Sequence, residues 1–459
     1  MFYRFKQLII ILGDIILLYL SLFFALFLRY LEYPNQRFIE LLTDYRPLLF
    51  LILVFFYIAG LYDVSKKYAF GEIIQKTLIS SLFWMFFGFA YFYFAQNSLG
   101  SPKTILLLNA FIFAFLSTIW RIINLKYLAK NIFKTKTVIV GITKESLELA
   151  DLFLNQPERG YILCGFVENN ETVHLPEKYL SYPLFPSFSQ LKEQKIDCNL
   201  IILSPQITKN ELLAQEIYTE FFTGVSIVGL VEIYEKMFGR LPPFVFSENW
   251  FLNNLPEQEK KVYDRVKIIL DYTAGVLMGL FFVITFPFIS LLIKITSSGP
   301  IFFTQTRTGL LGKPFKMYKY RTMKVLNSDG SAETEGPQFA QKKDCRITFL
   351  GKIMRATRLD EIPQFINILK NEMSLIGPRP ERPEFVQELI SVLPYYRLRH
   401  LTKPGLTGWA QLQNSYYGNI EENLKKLEYD LYYIKHRSPM LDLMIILKTV
   451  AVVMKMMGR

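Results

Sequence analysis

The chain has 459 residues, of which 51% are hydrophobic, 16% aromatic and only 20% charged, with a formal net charge of +12. The length allows two or three domains, and so little charge excludes an ordinary soluble globular protein. The three cysteines (Cys164, Cys198, Cys345) and three histidines (His174, His400, His436) are too dispersed for a disulfide framework or a zinc site, and the surplus of cations suits phosphates, anionic lipid headgroups or nucleic acid.

The first 130 residues read as membrane. Apolar runs cover roughly Leu8 to Leu28, Pro47 to Leu61, Leu78 to Phe94 and Thr104 to Ile119. A helix needs about 20 residues to cross the hydrocarbon, so the shorter runs must recruit their flanks. No small-residue cleavage site follows the first run, which therefore does not read as a signal peptide. Asp14 lies inside that run and is expected to serve helix packing or the interface rather than a proton relay. Arg4 and Lys6 precede the first run, Lys66, Lys67 and Lys76 lie between the second and third, and Arg121, Lys126, Lys130, Lys134 and Lys136 follow the fourth. The remaining loops are balanced or nearly uncharged, so four spans with both ends in the cytoplasm satisfy the positive-inside rule.

Residues 134–245 alternate strand and helix signals: "TVIV" before Gly141, then "CNLIILSP" and "GVSIVGLVE". This predicts a parallel, Rossmann-like α/β domain. After Gly141 come Ile, Thr, Lys, Glu and Ser, where close approach to a pyrophosphate needs glycines. The domain is therefore expected to be non-catalytic, and a tethered nucleotide-sugar dehydratase, which needs a glycine-rich NAD loop, is set aside. Residues 246–262 read as a linker.

Tyr272 to Ile293 carries no charge and is long enough to span. Lys260, Lys261, Arg265 and Lys267 precede it, and Lys294, Arg307, Lys313 and Lys316 follow, so both flanks prefer the cytoplasmic side. Pro287 bends the run. A re-entrant hairpin over about 267–297, kinked at Pro287, is expected; the alternative is a kinked fifth span. "LNSDGSAETEGP" (Leu326 to Pro337) is a polar loop. At the C-terminus, Lys448 and Lys455 share a helical face in an otherwise apolar stretch, which suits either an interfacial helix or a core helix.

The chemistry concentrates in "RATRLDEIPQFINILKNEMSLIGPRPERP". Asp360 opens an expected helix with Pro363 in its first turn, so an N-cap is its structural alternative. Side chains adjacent on a helix diverge by about 100°, so Asp360 and Glu361 do not form an opposed acid/base pair. They could share a metal, or one could attack while the other holds it. Arg355, Arg358, Arg379 and Arg382 surround them, and "KMYKYRTM" adds Lys316, Lys319 and Arg321. Arginine forks match phosphate oxygens, and a phosphate so held could accept attack by a carboxylate. A solvated basic surface on lipid headgroups, within a non-catalytic scaffold, is the other reading.

The segment from about Lys267 onward resembles the bacterial sugar transferase family, the monotopic polyprenyl-phosphate hexose-1-phosphate transferases. "SSGPIFFTQTRTGLLGKPFKMYKYRTM", "DCRITFLGKIMRATRLDEIPQFINILKNEMSLIGPRPERPEF", "TKPGLTGWAQLQ" and "EYDLYYIKHRSPMLDLMIILKT" keep the family's order. The resemblance implies that Asp360 attacks the sugar-linked phosphate of a UDP-hexose, galactose or glucose being favoured, expels UMP and forms a covalent glycosyl-phospho-aspartate. Undecaprenyl phosphate then takes the sugar phosphate, which would initiate O-antigen, capsule or exopolysaccharide synthesis. Glu361 is implied to bind Mg²⁺ or assist Asp360. The family's basic strand maps onto Lys319 to Met323, with Tyr320 in place of a phenylalanine, and its Tyr-Asp element onto Asp430. Lys319, Arg321, Arg358, Arg379, Arg382 and Asp430 become the expected substrate-phosphate residues. Phe286 stands where a serine can precede the kink proline. The implied whole is a bacterial inner-membrane protein of mixed α and α/β class. It has a four-helix transmembrane N-terminal bundle (1–130), the Rossmann-like domain, and a mostly helical monotopic domain over 263–459 with both soluble domains cytoplasmic. A homodimer is expected from related architectures, and nucleic acid is not an expected partner.

Overall fold

The computed structural model describes residues 2–63, 70–94, 103–127, 134–168, 175–194, 198–205, 217–218, 224–255, 260–325, 346–413 and 419–454. Lys66, Lys67, Lys130, His174, the loop Leu326–Pro337, Cys345 and Lys455 lie outside them. The chain forms two compact units, Met1–Ile233 and Tyr234–Arg459.

In the first unit, α1 (Phe2–Tyr30), α2 (Asn35–Ile58), α3 (Phe70–Phe94) and α4 (Lys103–Tyr127) are each long and apolar enough to cross a membrane. They share one core, to which Leu22, Ile52, Trp84 and Phe113 contribute from the four helices in turn. Helix α2 begins twelve residues before the apolar run suggested, with Pro47 inside it. The polar stretch from Asn35 to Arg46 hides that start. Asp14 is fully buried and accepts from both terminal nitrogens of Arg121 at 2.9 and 2.8 Å and from Ser117 at 3.0 Å. It is a packing residue that joins α1 to α4, since a carboxylate is tolerable in such a place only when paired.

The same unit holds a five-stranded, wholly parallel sheet in the order β3-β2-β1-β4-β5, formed by β1 (Thr135–Val140), β2 (Tyr161–Val167), β3 (Leu184–Phe185), β4 (Leu200–Leu203) and β5 (Ser226–Gly229). Helices α5 (Lys144–Asn155) and α6 (Phe188–Glu193) lie between strands in the chain. The register places Thr137 against Leu200 and Leu200 against Ser226. β1 reads as a β-branched run because its last four residues are buried.

The second unit begins earlier than expected. The sequence placed an α/β domain to 245 and a linker over 246–262, but Leu241, Phe251 and Leu255 are buried in a core with Tyr396, Trp409, Leu427 and Leu431. Gly239 accepts a hydrogen bond from the Trp409 indole at 2.6 Å, and Arg240 pairs with buried Glu428. Each buried side chain of this size stabilises by about 1.5–3 kcal/mol, which is incompatible with a free linker. Pro242 and Pro243 and the short helices that follow break the periodicity that would announce them.

The run expected as a hairpin is one continuous α-helix, Lys261–Thr296, 36 residues long, with Pro287 inside it. One side lies along the rest of the unit. Lys267 meets Asp442 at 2.7 Å, Asp271 accepts from Ser374 and the Leu375 amide at 2.9 Å, and Ile293 is buried with Tyr320, Met354 and Ile362. Gly275 and Gly279 permit this approach, since a Cβ there would meet Leu369 at 2.9 Å and Phe365 at 3.1 Å. The other side exposes Val276, Phe281, Val283, Ile284 and Phe288. The C-terminal helix Pro439–Met454 is a core helix through Leu441 and Ile445, and Lys448 lies over the Trp409 ring at 5.0 Å rather than on a free polar face.

Candidate active site

The antiparallel strands β6 (Phe302–Thr308) and β7 (Pro314–Tyr320) bring the first cation to the paired acids. Phe315 and Met317 pack against Ile368 and Met373, and Lys319 continues that face two residues on. Tyr320 points the other way, into the core with Ile293 and Ile362. The strand is buried along the Phe315 and Met317 face and anchored at its end by Tyr320 on the other, which holds Lys319 beside the turn that carries the acids.

That turn follows the helix Phe349–Ala356, capped by Thr348, whose hydroxyl accepts from the Gly351 amide at 2.9 Å. Arg358 then adopts φ 59°, ψ 15°, a left-handed conformation that costs a non-glycine residue about 1–2 kcal/mol. The chain passes there into a 3₁₀ helix, Leu359–Gln364, which runs on into the short α-helix Phe365–Leu369, so the expected helix forms with a 3₁₀ start. Asp360 lies within this turn and caps nothing, so the N-cap alternative falls.

This turn gives the two acids different surroundings. Lys319 Nζ donates to Glu361 Oε1 at 2.7 Å, Arg358 to Oε2 at 3.1 Å, and Arg379 to Oε1 at 3.4 and 3.5 Å. Burial pushes the Glu361 pKa up, but these three cations together hold it well below the usual carboxylate range. Asp360 is only 6% exposed, and its Oδ1 has no hydrogen-bond partner. Burial pushes its pKa up to about 6; Lys319 opposes the shift and the Glu361 charge adds to it. A buried, unpaired carboxylate oxygen is costly to the fold, and such groups mark functional positions.

Lys319, Arg358 and Arg379, expected on a substrate phosphate, therefore gather at Glu361. Three other expected residues bond elsewhere than the dyad. Arg321 donates to the carbonyls of Ser297, at 2.8 Å, and Ser298, and so caps the long helix. Arg382 reaches Glu384 at 3.4 Å and lies over Phe385. Asp430 is 1% exposed and accepts from Arg399 at 3.1 and 2.9 Å, which leaves it facing an arginine rather than a phosphate site. An aspartate amid tyrosines carries no sign of which cation the fold will bring to it.

Sequence reasoning missed the group behind the dyad. Glu381 binds Lys426 and lies 3.5 Å from Arg307. Against the upward push of burial, Lys426, Arg307 and Arg399 hold its pKa at about 2. The one available signal was spacing, since Lys426 and Asp430 are four apart in the helix Ile420–His436 and share a face.

Among the described residues no group of three or more His, Cys, Asp or Glu could hold a metal. Mg²⁺ needs no such cage and commonly takes one or two carboxylates with substrate phosphates. Both Glu361 oxygens are engaged by cations, so the open oxygen on the dyad belongs to Asp360. The dyad fits Mg²⁺ on those terms, with the carboxylates of Asp360 and Glu361 as the groups that would hold it together with substrate phosphates.

In the α/β sheet, the amides after β1 are already bonded. Ile142 N donates to Glu168 at 2.8 Å, and Ser146 N to the Thr143 hydroxyl at 3.1 Å within a capping box. The acid at the end of β2 thus occupies an amide that a phosphate would otherwise take.

The model of the family described as "Bacterial sugar transferase" matches residues 262–456. The chain is 38% identical over 234 residues to the UDP-N-acetylgalactosamine-undecaprenyl-phosphate N-acetylgalactosaminephosphotransferase of Aeromonas hydrophila, covering 51% of this chain and 53% of that protein. It is 42% identical over 165 residues to the UDP-glucose:undecaprenyl-phosphate glucose-1-phosphate transferase of Escherichia coli (strain K12), covering 35% and 34%. To the similarly named Caulobacter vibrioides protein it is 38% identical over 191 residues, covering 41% of this chain and 69% of that one. The match thus spans about half of the first relative and a third of the second. A buried acid pair ringed by cations lies inside the matched segment, and the chain belongs to the bacterial sugar transferase family.

Proposed function

We propose that the chain transfers a sugar 1-phosphate from a UDP-sugar to undecaprenyl phosphate, with Asp360 as the nucleophile. The observation that carries this reading is the split between neighbours, with Glu361 saturated by three cations and Asp360 retaining an unpaired buried oxygen. An Asp360 oxygen attacks the sugar-bearing phosphorus. The bond from that phosphorus to the bridging oxygen breaks, and UMP leaves with the electron pair. An oxygen of undecaprenyl phosphate then attacks the same phosphorus and frees Asp360. Two anions approach one another in each step, so neutralisation precedes attack. Arg358 and Arg379, 28% and 36% exposed at their side chains, are free enough to turn from Glu361 onto the diphosphate, while buried Lys319 stays. Bound Mg²⁺ would supply further charge neutralisation at the diphosphate.

The donor sugar is a hexose or an N-acetylhexosamine. Galactose or glucose was the expectation from the sequence, and the relatives named above divide between glucose and N-acetylgalactosamine. The product would begin a surface polysaccharide such as O-antigen, capsule or exopolysaccharide. Purified protein given undecaprenyl phosphate and each UDP-sugar in turn tests the reading through released UMP and labelled lipid. Absence of UMP with every donor overturns it.

The helix Lys261–Thr296 is proposed to enter and leave the bilayer on one face, keeping the dyad in the cytoplasm. Its contacts run from Lys267 to Ile293, which are about 39 Å apart along an ideal helix. A straight span would carry one of those contact points to the far side of a hydrocarbon layer about 30 Å thick.

A further inference from the structure

We infer that Arg399 and Arg307 are positioning residues that set the reach of Arg379 by gripping its main chain, an inference that rests on the transfer reaction proposed above. Arg379 meets Glu361 only at 3.4 and 3.5 Å, and its side chain is 36% exposed. Such long, half-solvated contacts do not fix a guanidinium. Its place is set instead by the backbone from which it springs.

That backbone is held at four consecutive carbonyls. Pro378 O accepts from the Gly405 amide at 2.9 Å, and Arg379 O from Arg399 Nη2 at 2.8 Å. Pro380 O accepts from Arg307 Nη1 at 3.2 Å, and Glu381 O from the Thr308 amide at 2.8 Å. Pro378 and Pro380 donate nothing themselves, so this stretch has half the usual backbone donors and is tied down through its oxygens. Two of the four ties are side chains, Arg399 and Arg307.

Four of the five N–H groups of Arg399 are taken by protein partners. Nε and Nη2 bind Asp430, Nη1 binds the Tyr396 hydroxyl at 2.8 Å, and the side chain is 1% exposed. A buried arginine–aspartate pair is seldom better for stability than apolar residues of the same volume. What the pair supplies is a donor at a fixed point under Arg379. This is also the role left for Asp430, which orients Arg399.

The test uses the full-length protein in detergent. Arg399→Gln combined with Asp430→Asn removes both charges of the pair together, and Arg399→Lys keeps a charge beside Asp430 but loses the bond to Arg379. If the inference is right, each lowers kcat/KM for UMP release by about 100-fold, the scale of an ångström of misplacement, with the melting temperature of Arg399→Lys near that of the wild type. In an Arg379→Ala background the same changes cost less than about threefold more, because the residue they act through is gone. Additive losses in that background overturn the inference. Should the wild type release no UMP, the transfer reading itself fails, and the grip is judged by amide exchange at Arg379 and Glu381. Exchange faster by on the order of tenfold in Arg399→Lys upholds the grip, and unchanged exchange overturns it.

Discussion

Lys319 Nζ donates to Glu361 Oε1 across 2.7 Å, and this one bond divides the labour of the two acids. Glu361 is committed to a buried lysine that burial itself discourages from carrying charge. Asp360, one residue earlier, shares the field of that lysine but not its hydrogen bonds. A carboxylate without donors is the better nucleophile, because no bond need break before it attacks.

Asp360→Asn is expected to abolish the covalent adduct and to lower UMP release by roughly 10³-fold or more. The same change stabilises the fold at high pH. The folded-state pKa, raised to about 6, lies above that of an exposed carboxylate, so ionisation costs stability as pH rises through it. Thermal melts should show the variant more stable by roughly 1–3 kcal/mol at pH 8, with no gain below about pH 4. A variant that turns over normally is incompatible with the assigned nucleophile.

UMP release should climb as pH rises through about 6 and level off above it, following the ionisation of Asp360. Glu361→Gln removes a neighbouring negative charge, so the midpoint of the residual activity should move to lower pH. A midpoint that rises or stays would mean that another group governs the profile.

Arg321 and Arg379 are expected to part company. Arg321→Ala loses the bonds to the Ser297 and Ser298 carbonyls and should cost about 1–3 kcal/mol of stability, with KM for the donor nearly unchanged. Arg379→Ala should leave the melting temperature nearly unchanged and lower kcat/KM by about 10²-fold or more. Exchanged outcomes would put Arg321, not Arg379, on the substrate.

Val262 and Ile295, 76% and 71% exposed, lie near the two ends of the long helix. In a cysteine-free background, Val262→Cys and Ile295→Cys should both resist an impermeant maleimide in intact cells and both react in inverted vesicles. Labelling of one end from outside would mean that the helix crosses.

Leu241 is fully buried, in a segment without strand or long-helix periodicity. Leu241→Ala should destabilise the second unit by about 2–5 kcal/mol in denaturant melts, where a linker position would change by less than about 0.5 kcal/mol.

What the sequence determined by itself was whatever depends on neighbours in the chain. Apolar runs announced α1 to α4, because an unbroken apolar stretch has few other uses. The β-branched runs announced β1 and β4, because a strand buried on both faces needs no polar alternation. The clustering of Asp360, Glu361 and Arg358 was legible, since all three lie in one turn. Tertiary structure alone decided which cation serves which acid. Lys319 is 42 residues from Glu361, and Arg399 is 31 from Asp430. Arg321 and Arg379 look alike in the sequence, yet one caps a helix and the other faces the dyad. An arginine side chain binds whatever oxygen the fold brings within its reach, and nothing local encodes that oxygen. For the same physical reason the long helix read as a membrane hairpin, while its packing along one side depends on Gly275 and Gly279 meeting Leu369 and Phe365, residues about ninety positions away.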